Sequence, residues 1–176
     1  NSITVDVSFA QDIYYPPVSV LTMGYTKKDI QHPLNGFGVL VPKVEKLNIL
    51  GVLFMSSLFP NRCPNAHEVL TVFLGGARQP EIALKSEDER MKLAAIDLEK
   101  LLGIFAKPKF IFQKQWEHAI PQYNVGYGEI KSKFQRLEKD NPGLYFTGNY
   151  REGISVSDTI LHAMNTSEKI ITSQLN

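Results

Sequence analysis

Apolar residues along this chain recur at two spacings, and the changes between them outline the elements. Val18 to Met23 is a β-branched apolar run entered through Pro16 and Pro17, which forbid a helix there and suit the mouth of a strand. Gly36-Phe37-Gly38-Val39-Leu40-Val41-Pro42 frames a short strand between two glycines and a proline. Ile49 to Ser56 and Glu68 to Leu74 read as longer apolar strands, separated by the turn-rich Phe59-Pro60-Asn61-Arg62-Cys63-Pro64-Asn65 and closed by Gly75-Gly76. Short links between neighbouring strands favour antiparallel pairing. Lys109 to Trp116 alternates, with Phe110 and Phe112 on one side and Lys109, Ile111 and Gln113 on the other, which predicts a further strand. Ala119-Ile120-Pro121-Gln122-Tyr123 follows as a turn.

Helical spacing governs two other stretches. Ser86 followed by Glu89 forms a capping box, and Met91, Ala94, Ala95, Leu98, Leu101 and Leu102 then line one face up to Gly103. An aliphatic stripe of this kind is expected to pack on a sheet. Glu129 to Lys139 is polar, with Ile130, Phe134 and Leu137 at helical spacing, and Asn141-Pro142-Gly143 ends it.

The stretch from Gly143 to Ala163 changes spacing within a few residues. Leu144 to Phe146 predicts a strand, Gly148-Asn149 a tight turn, and Val156, Ile160, Ala163 and Met164 a helix opening at about Ser155. Ser155 and Asp158 have capping-box spacing, with Asp in place of the usual Glu or Gln. A helix start presents main-chain N–H groups that lack partners within the helix, and such an end readily binds anions or electron-rich ring edges. The same turn also suits an ordinary strand-to-helix connection that holds nothing, so this stretch alone names no cofactor.

Composition narrows the classes. The chain has 176 residues, 43% hydrophobic and 21% charged, enough for one sizeable core or for one domain and part of another. Nineteen basic against 18 acidic residues leave a net charge of +1 without a basic block, so nucleic acid is not an expected partner. The single cysteine, Cys63, makes no internal disulfide, which suits a reduced compartment, and the four scattered histidines lack ligand spacing for a metal. The longest apolar run, Ile49 to Phe54, has six residues, far below the ~20 of a membrane-spanning helix. The opening Asn-Ser-Ile-Thr-Val-Asp-Val has neither an initiator Met nor a leader pattern, and is expected to be a piece excised from a longer chain.

No Ser/His/Asp or Cys/His arrangement stands out. Cys63, in a proline-rich turn without a neighbouring base, reads as an incidental thiol, and His118 as a packed or solvated side chain rather than a general base. Carboxylates fall on polar helix faces where solvation is expected. What remains is a set of glycine-flanked apolar strands, a tryptophan before a proline turn, and a helix start offering amides. That combination suits a flat, hydrophobic, redox-type ligand better than hydrolytic chemistry.

Six segments in order carry a resemblance: Tyr14-Tyr15-Pro16-Pro17-Val18, Gly36 to Pro42, Ser56-Ser57-Leu58-Phe59-Pro60-Asn61-Arg62, Leu74-Gly75-Gly76, Ala119 to Tyr123, and Gly148-Asn149-Tyr150-Arg151-Glu152-Gly153-Ile154-Ser155-Val156. Together they make the chain similar, nearly end to end, to the C-terminal part of the oxygen-dependent protoporphyrinogen oxidases, within the flavin-containing amine oxidase superfamily. The resemblance implies FAD as cofactor, with main-chain groups of Ile154, Ser155 and Val156 at the pyrimidine end of the flavin ring. It places Gly148 and Asn149 near the phosphate or ribitol portion, and Trp116 near the flavin. It assigns Leu40, Leu53 and Phe73 to the apolar residues that sandwich a tetrapyrrole, whose broad faces gain roughly 25 cal/mol for each Å² buried. No catalytic base is required of any side chain here.

The resemblance also says what lies elsewhere. The Gly-x-Gly-x-x-Gly that holds the FAD diphosphate, the membrane-associating helical insert and the arginine partner of a substrate propionate have no counterpart in this sequence. Tyr127 stands where many relatives carry a histidine. The expected class is α+β: a mixed, largely antiparallel sheet with flanking helices, residues 1 to about 135 forming most of a substrate-binding domain and 136–176 a strand and helix returning to the FAD domain. The resemblance implies an enzyme that converts protoporphyrinogen to protoporphyrin with oxygen as acceptor, in haem biosynthesis. It implies a cytoplasmic protein, peripheral at the inner face of the membrane and dimeric, whose isolated C-terminal part is inert without the N-terminal FAD-binding region. Coproporphyrinogen as substrate, another flavin amine oxidase, and a non-enzymatic tetrapyrrole carrier are the competing readings.

Overall fold

The computed structural model describes residues 4–174. In chain order the elements are β1 (Val18–Thr26), β2 (Gly38–Leu40), β3 (Ile49–Phe54), α1 (Met55–Leu58), β4 (His67–Gly75), α2 (Pro80–Ala83), α3 (Glu87–Leu102), β5 (Phe110–Trp116), α4 (Tyr127–Asp140) and α5 (Val156–Gln174). They fall into two compact units, one formed by residues 16–119 and the other by the described residues of 1–15 and 120–176. The units part between Ala119 and Ile120. Helix α4 runs unbroken through residue 135.

The first unit is a five-stranded sheet in the order β2-β3-β4-β1-β5. Its pairings are antiparallel throughout, in keeping with the expected α+β class and largely antiparallel sheet with flanking helices. The sheet has two unlike faces. One carries Leu21 and Met23 of β1, Ile49, Val52 and Phe54 of β3, and Leu70, Val72 and Leu74 of β4, all buried in one cluster with Ala94, Leu98 and Leu102 of α3. Burial of each such Leu or Val stabilises by about 1.5–3 kcal/mol, which makes this face the core of the unit.

Helix α3 begins where the sequence predicts. The Ser86 hydroxyl accepts from the Glu89 N–H at 3.3 Å, the Glu89 carboxylate accepts from the Ser86 N–H at 3.1 Å, and Gly103 closes the helix in the left-handed region. Two polar residues on its inward face were not expected there. Asp97 is fully buried rather than solvated; its Oδ2 accepts from the N–H groups of Asn48 at 2.6 Å and Ile49 at 3.0 Å, and its Oδ1 from Asn48 Nδ2 at 3.2 Å. Arg90 is buried too, and its Nη1 donates to the carbonyls of Ala83 and Lys85 and to Gln115 Oε1. These two side chains fasten the ends of α3 to the start of β3 and to β5.

The second unit is built around Phe134 of α4. Its ring meets Phe9 at 4.7 Å, Phe146 at 4.9 Å and Tyr150 at 5.2 Å, with Ile13 and Tyr127 completing the cluster. Arg151 is buried against the same ring, its guanidinium 5.2 Å from the centroid and its Nη2 donating to Glu138 Oε2 at 3.1 Å. The strand expected over Leu144 to Phe146 is not formed. Its backbone is instead held locally: the Phe146 N–H donates to Glu138 Oε1 at 2.8 Å and the Leu144 N–H to the Asn141 carbonyl at 3.0 Å, leaving no ladder partner among the described residues. Helix α5 exposes Val156, Ile160, Leu161, Met164 and Ile171. No helix among the described residues is long and apolar enough to cross a membrane.

Asp97→Ala would leave the buried Ile49 N–H and the half-buried Asn48 donors without an acceptor, at a cost of about 3 kcal/mol. Hydrogen exchange in the full-length protein should show the Asn48 and Ile49 amides losing protection by that amount, and less in Asp97→Asn, which keeps an accepting oxygen.

Candidate functional site

In an antiparallel ladder, residues directly opposite one another project to the same side, so the register decides which side chains share a face. Leu40 lies opposite Gly51, Gly51 opposite Phe73, Phe73 opposite Val20, and Val20 opposite Lys114. The next row holds Gly38, Leu53, Thr71, Thr22 and Phe112, and Val18 lies opposite Trp116. Leu40, Leu53 and Phe73, expected at a tetrapyrrole, and Trp116, expected at a flavin, therefore stand on one face of one sheet, the side away from α3. The irregularity between Ile49 and Gly51 makes this arrangement possible. One extra residue in β3 lets Ile49 and Val52 both turn into the core while Leu53 turns outward.

This second face is apolar and uncovered. Leu40 is 88% exposed, Phe112 58% and Trp116 52%, whereas Leu53 and Phe73, in the two strands nearer the middle, are half-buried. Gly24, Gly38 and Gly51 occupy positions on the same face and carry no side chain, so the surface is broad and low between its apolar projections. The only cation in the central row, Lys114, sits with its Nζ 5.2 Å from the Trp116 ring.

In the other unit, the turn before α5 is clamped by two tyrosines. The Tyr123 hydroxyl donates to the Asn149 carbonyl at 2.7 Å and accepts from the Gly153 N–H at 3.1 Å. Tyr127 stacks on Tyr123 with centroids 4.3 Å apart, and its own hydroxyl donates to the Tyr150 carbonyl at 2.7 Å. Burial, with Tyr123 and Tyr15 nearby, pushes the Tyr127 phenol up to about 12, so it remains a neutral donor near neutrality. Inside the turn the Arg151 N–H donates to the Gly148 carbonyl at 3.0 Å. Gly148 and Gly153 have φ of 146° and 124°, and a Cβ at Gly153 would come within 2.6 Å of Asp158 Cβ. The tyrosine of the Ile-Pro-Gln-Tyr turn gave no sign in the sequence of its partnership with the later turn, because the two lie 26 positions apart.

At the helix start the Ser155 hydroxyl accepts from the Asp158 N–H at 3.0 Å and donates to Asp158 Oδ2 at 2.7 Å. The cap is thus one-sided: the aspartate binds the serine hydroxyl and does not return to the backbone. Ile154, Ser155 and Val156 are exposed, and their N–H groups meet no acceptor among the described residues.

Residues 7–171 match the family described as flavin containing amine oxidoreductase. The chain belongs to that family. It is 36% identical over 169 residues to protoporphyrinogen oxidase 2, chloroplastic/mitochondrial, of Arabidopsis thaliana, covering 94% of this chain and 33% of that protein. It is 24% identical over 155 residues to coproporphyrinogen III oxidase of Bacillus subtilis, covering 88% of this chain and 33% of that protein. A crystal structure from Exiguobacterium, of a protein provisionally assigned as a protoporphyrinogen oxidase, superposes with a TM-score of 0.76 at 21% identity, over 94% of this chain and 36% of that one. That likeness establishes the fold. The chain spans about a third of the length of the curated relatives it matches.

The Tyr127 phenol has a folded-state value above its unfolded value of about 10, so its stabilisation is complete below that pH and is lost as pH rises toward about 12. In Tyr127→Phe the alkaline fall in stability between those limits should become shallower, as followed by thermal unfolding across a pH series; an unchanged profile would show that the phenol plays no part.

Proposed function

We propose that the full-length protein is an FAD-dependent oxidase that dehydrogenates protoporphyrinogen to protoporphyrin, and that this chain supplies the apolar platform for the tetrapyrrole and part of the cofactor's cradle. The observation that carries the reading is the placement of Leu40, Leu53, Phe73 and Trp116 on one uncovered face of one sheet. A macrocycle presents broad apolar faces, and such a face is what they would be buried against.

Ile154, Ser155 and Val156 are exposed residues whose N–H groups meet no acceptor among the described residues, which suits the electron-rich edge of an isoalloxazine at its pyrimidine end. Gly148 and Asn149 are assigned to the phosphate or ribitol portion, and the Tyr123 hydroxyl, donating to the Asn149 carbonyl, holds the backbone there in place. Trp116 is the member of the sheet face assigned to the flavin. When bound, FAD supplies the hydride acceptor, which molecular oxygen reoxidises to give hydrogen peroxide. The chain's own part is positioning: the apolar face holds the macrocycle and excludes water, and no side chain is assigned the role of a base.

The diphosphate-binding part of the cofactor site is assigned to protein outside this chain, and the exposed stripe of α5 supports that division. Val156, Ile160, Leu161, Met164 and Ile171 make an apolar surface that the N-terminal FAD-binding region would cover. Coproporphyrinogen is the second candidate substrate, favoured by the likeness to the Bacillus subtilis enzyme.

Anaerobically purified full-length protein loaded with FAD should, on admitting air, convert protoporphyrinogen to fluorescent protoporphyrin with release of peroxide. Failure to oxidise either porphyrinogen would overturn the reading. Phe73→Ala should raise the KM for the porphyrinogen by roughly tenfold, the worth of a partly buried aromatic contact. Residues 1–176 alone should not bind FAD stoichiometrically.

A further inference from the structure

The apolar face does not end at the Leu53 row. One row further along the strands, about 7 Å on, Val69 lies opposite Gly24 and Gly24 opposite Phe110. Here the face opens into a cavity of about 510 Å³, lined by Thr22, Gly24, Thr71 and Phe110 of the sheet and by Arg62 and Lys109 at its rim. Thr71 and Thr22 belong to the same row as Leu53, so cavity and platform are continuous within one unit.

The charge of this cavity is one-sided. The Arg62 guanidinium is held 5.3 Å from the Phe59 ring centroid, and among the described residues neither Arg62 nor Lys109 has a carboxylate within ion-pair distance. The one acidic residue in the lining, Glu68, is already engaged: its carboxylate accepts from the Ser56 hydroxyl and lies 3.7 Å from Lys27 Nζ. The two cations are therefore available to an anion, beside two threonine hydroxyls that can donate hydrogen bonds. Guanidinium and carboxylate groups meet in complementary planar geometry, and such charge-assisted bonds are the strong ones.

Resting on the platform reading above, we propose that this cavity is a carboxylate subsite, in which Arg62 and Lys109 hold an acidic side chain at the edge of the tetrapyrrole lying on the Leu53–Phe73 face. The macrocycle is amphipathic, with apolar faces and carboxylates confined to its periphery. A flat apolar platform that runs into a cationic hollow matches both parts and fixes which edge points away from Trp116. Arg62 and Lys109 are thereby specificity-determining residues: they favour the free acid over a neutral ester, and they gain in importance as the substrate carries more carboxylates.

The test uses full-length protein and two porphyrin probes, protoporphyrin free acid and its dimethyl ester, with binding followed by quenching of porphyrin fluorescence. Arg62→Met and Lys109→Met should each weaken the free acid by roughly tenfold and leave the ester unchanged, and Arg62→Lys should restore most of the loss. Phe73→Ala should weaken both probes alike. Equal loss of acid and ester in Arg62→Met and Lys109→Met would mark a structural role and overturn the subsite. No loss in either, with Phe73→Ala still weakened, would overturn the subsite and leave the platform standing. If Phe73→Ala also binds both probes normally, platform and subsite fall together.

Discussion

The register between β3 and β4 is the constraint on which the sheet's two faces depend. An antiparallel ladder alternates sides at every residue, so a strand with one buried face has no freedom in phase. Strand β3 must bury Ile49, Val52 and Phe54, which strict alternation forbids, and the extra residue between Ile49 and Gly51 resolves the conflict. The same device sends Leu53 outward to join Leu40 and Phe73. Packing of the core thus determines the composition of the opposite surface, and α3 secures the result through Asp97, whose carboxylate holds the N–H groups at the start of β3. A buried carboxylate is tolerated there because three donors satisfy it, where an unpaired one would cost several kcal/mol.

In the second unit, hydrogen bonds rather than a ladder set the backbone. The turn from Gly148 to Gly153 has no strand beside it among the described residues, and its shape is held by Tyr123, Tyr127 and the buried Arg151. Phenol and guanidinium groups suit this task because each joins an apolar body to a polar end that reaches main-chain groups: Tyr127 belongs to the Phe134 cluster, Arg151 lies against the Phe134 ring, and Tyr123 stacks on Tyr127. With the turn so fixed, the helix start keeps its first amides exposed, and the serine cap engages only one of them. Electrostatic preorganisation of this kind has value where a bound group cannot reorganise the protein around it.

Much of this was legible in the sequence, and the exceptions share a cause. Strands β1 to β5 and helices α3 to α5 announced themselves by period and by caps, because period and caps are local properties. Leu144 to Phe146 looked like a strand and is not one, since a strand is defined by a neighbour that no local pattern reveals. Asp97 looked solvated for the same reason: its partners at Asn48 and Ile49 lie in another element. Resemblance assigned Leu40, Leu53 and Phe73 to one ligand and Trp116 to another, but that the four share a face was not legible, because it rests on inter-strand register and one irregular residue. Tyr123, Arg62 and Lys109 went unread; their roles arise where distant segments meet.

Lys114 shows how the face can be both apolar and charged. It lies in the row of Leu40, Phe73 and Val20, where an isolated ammonium on an apolar surface would oppose burial. Its Nζ, 5.2 Å from the Trp116 ring, finds an electrostatic partner that is itself apolar, worth about 0.5–1 kcal/mol at an exposed site and more when water is removed. The contact keeps the charge at the β5 edge and turns the lysine stem into part of the apolar surface. Strand β5 therefore carries a cation beside Trp116 at one end, while Lys109 immediately precedes its other end, with Phe110 and Phe112 between the two. A ligand with an apolar centre and an acidic rim fits that distribution better than one that is apolar throughout.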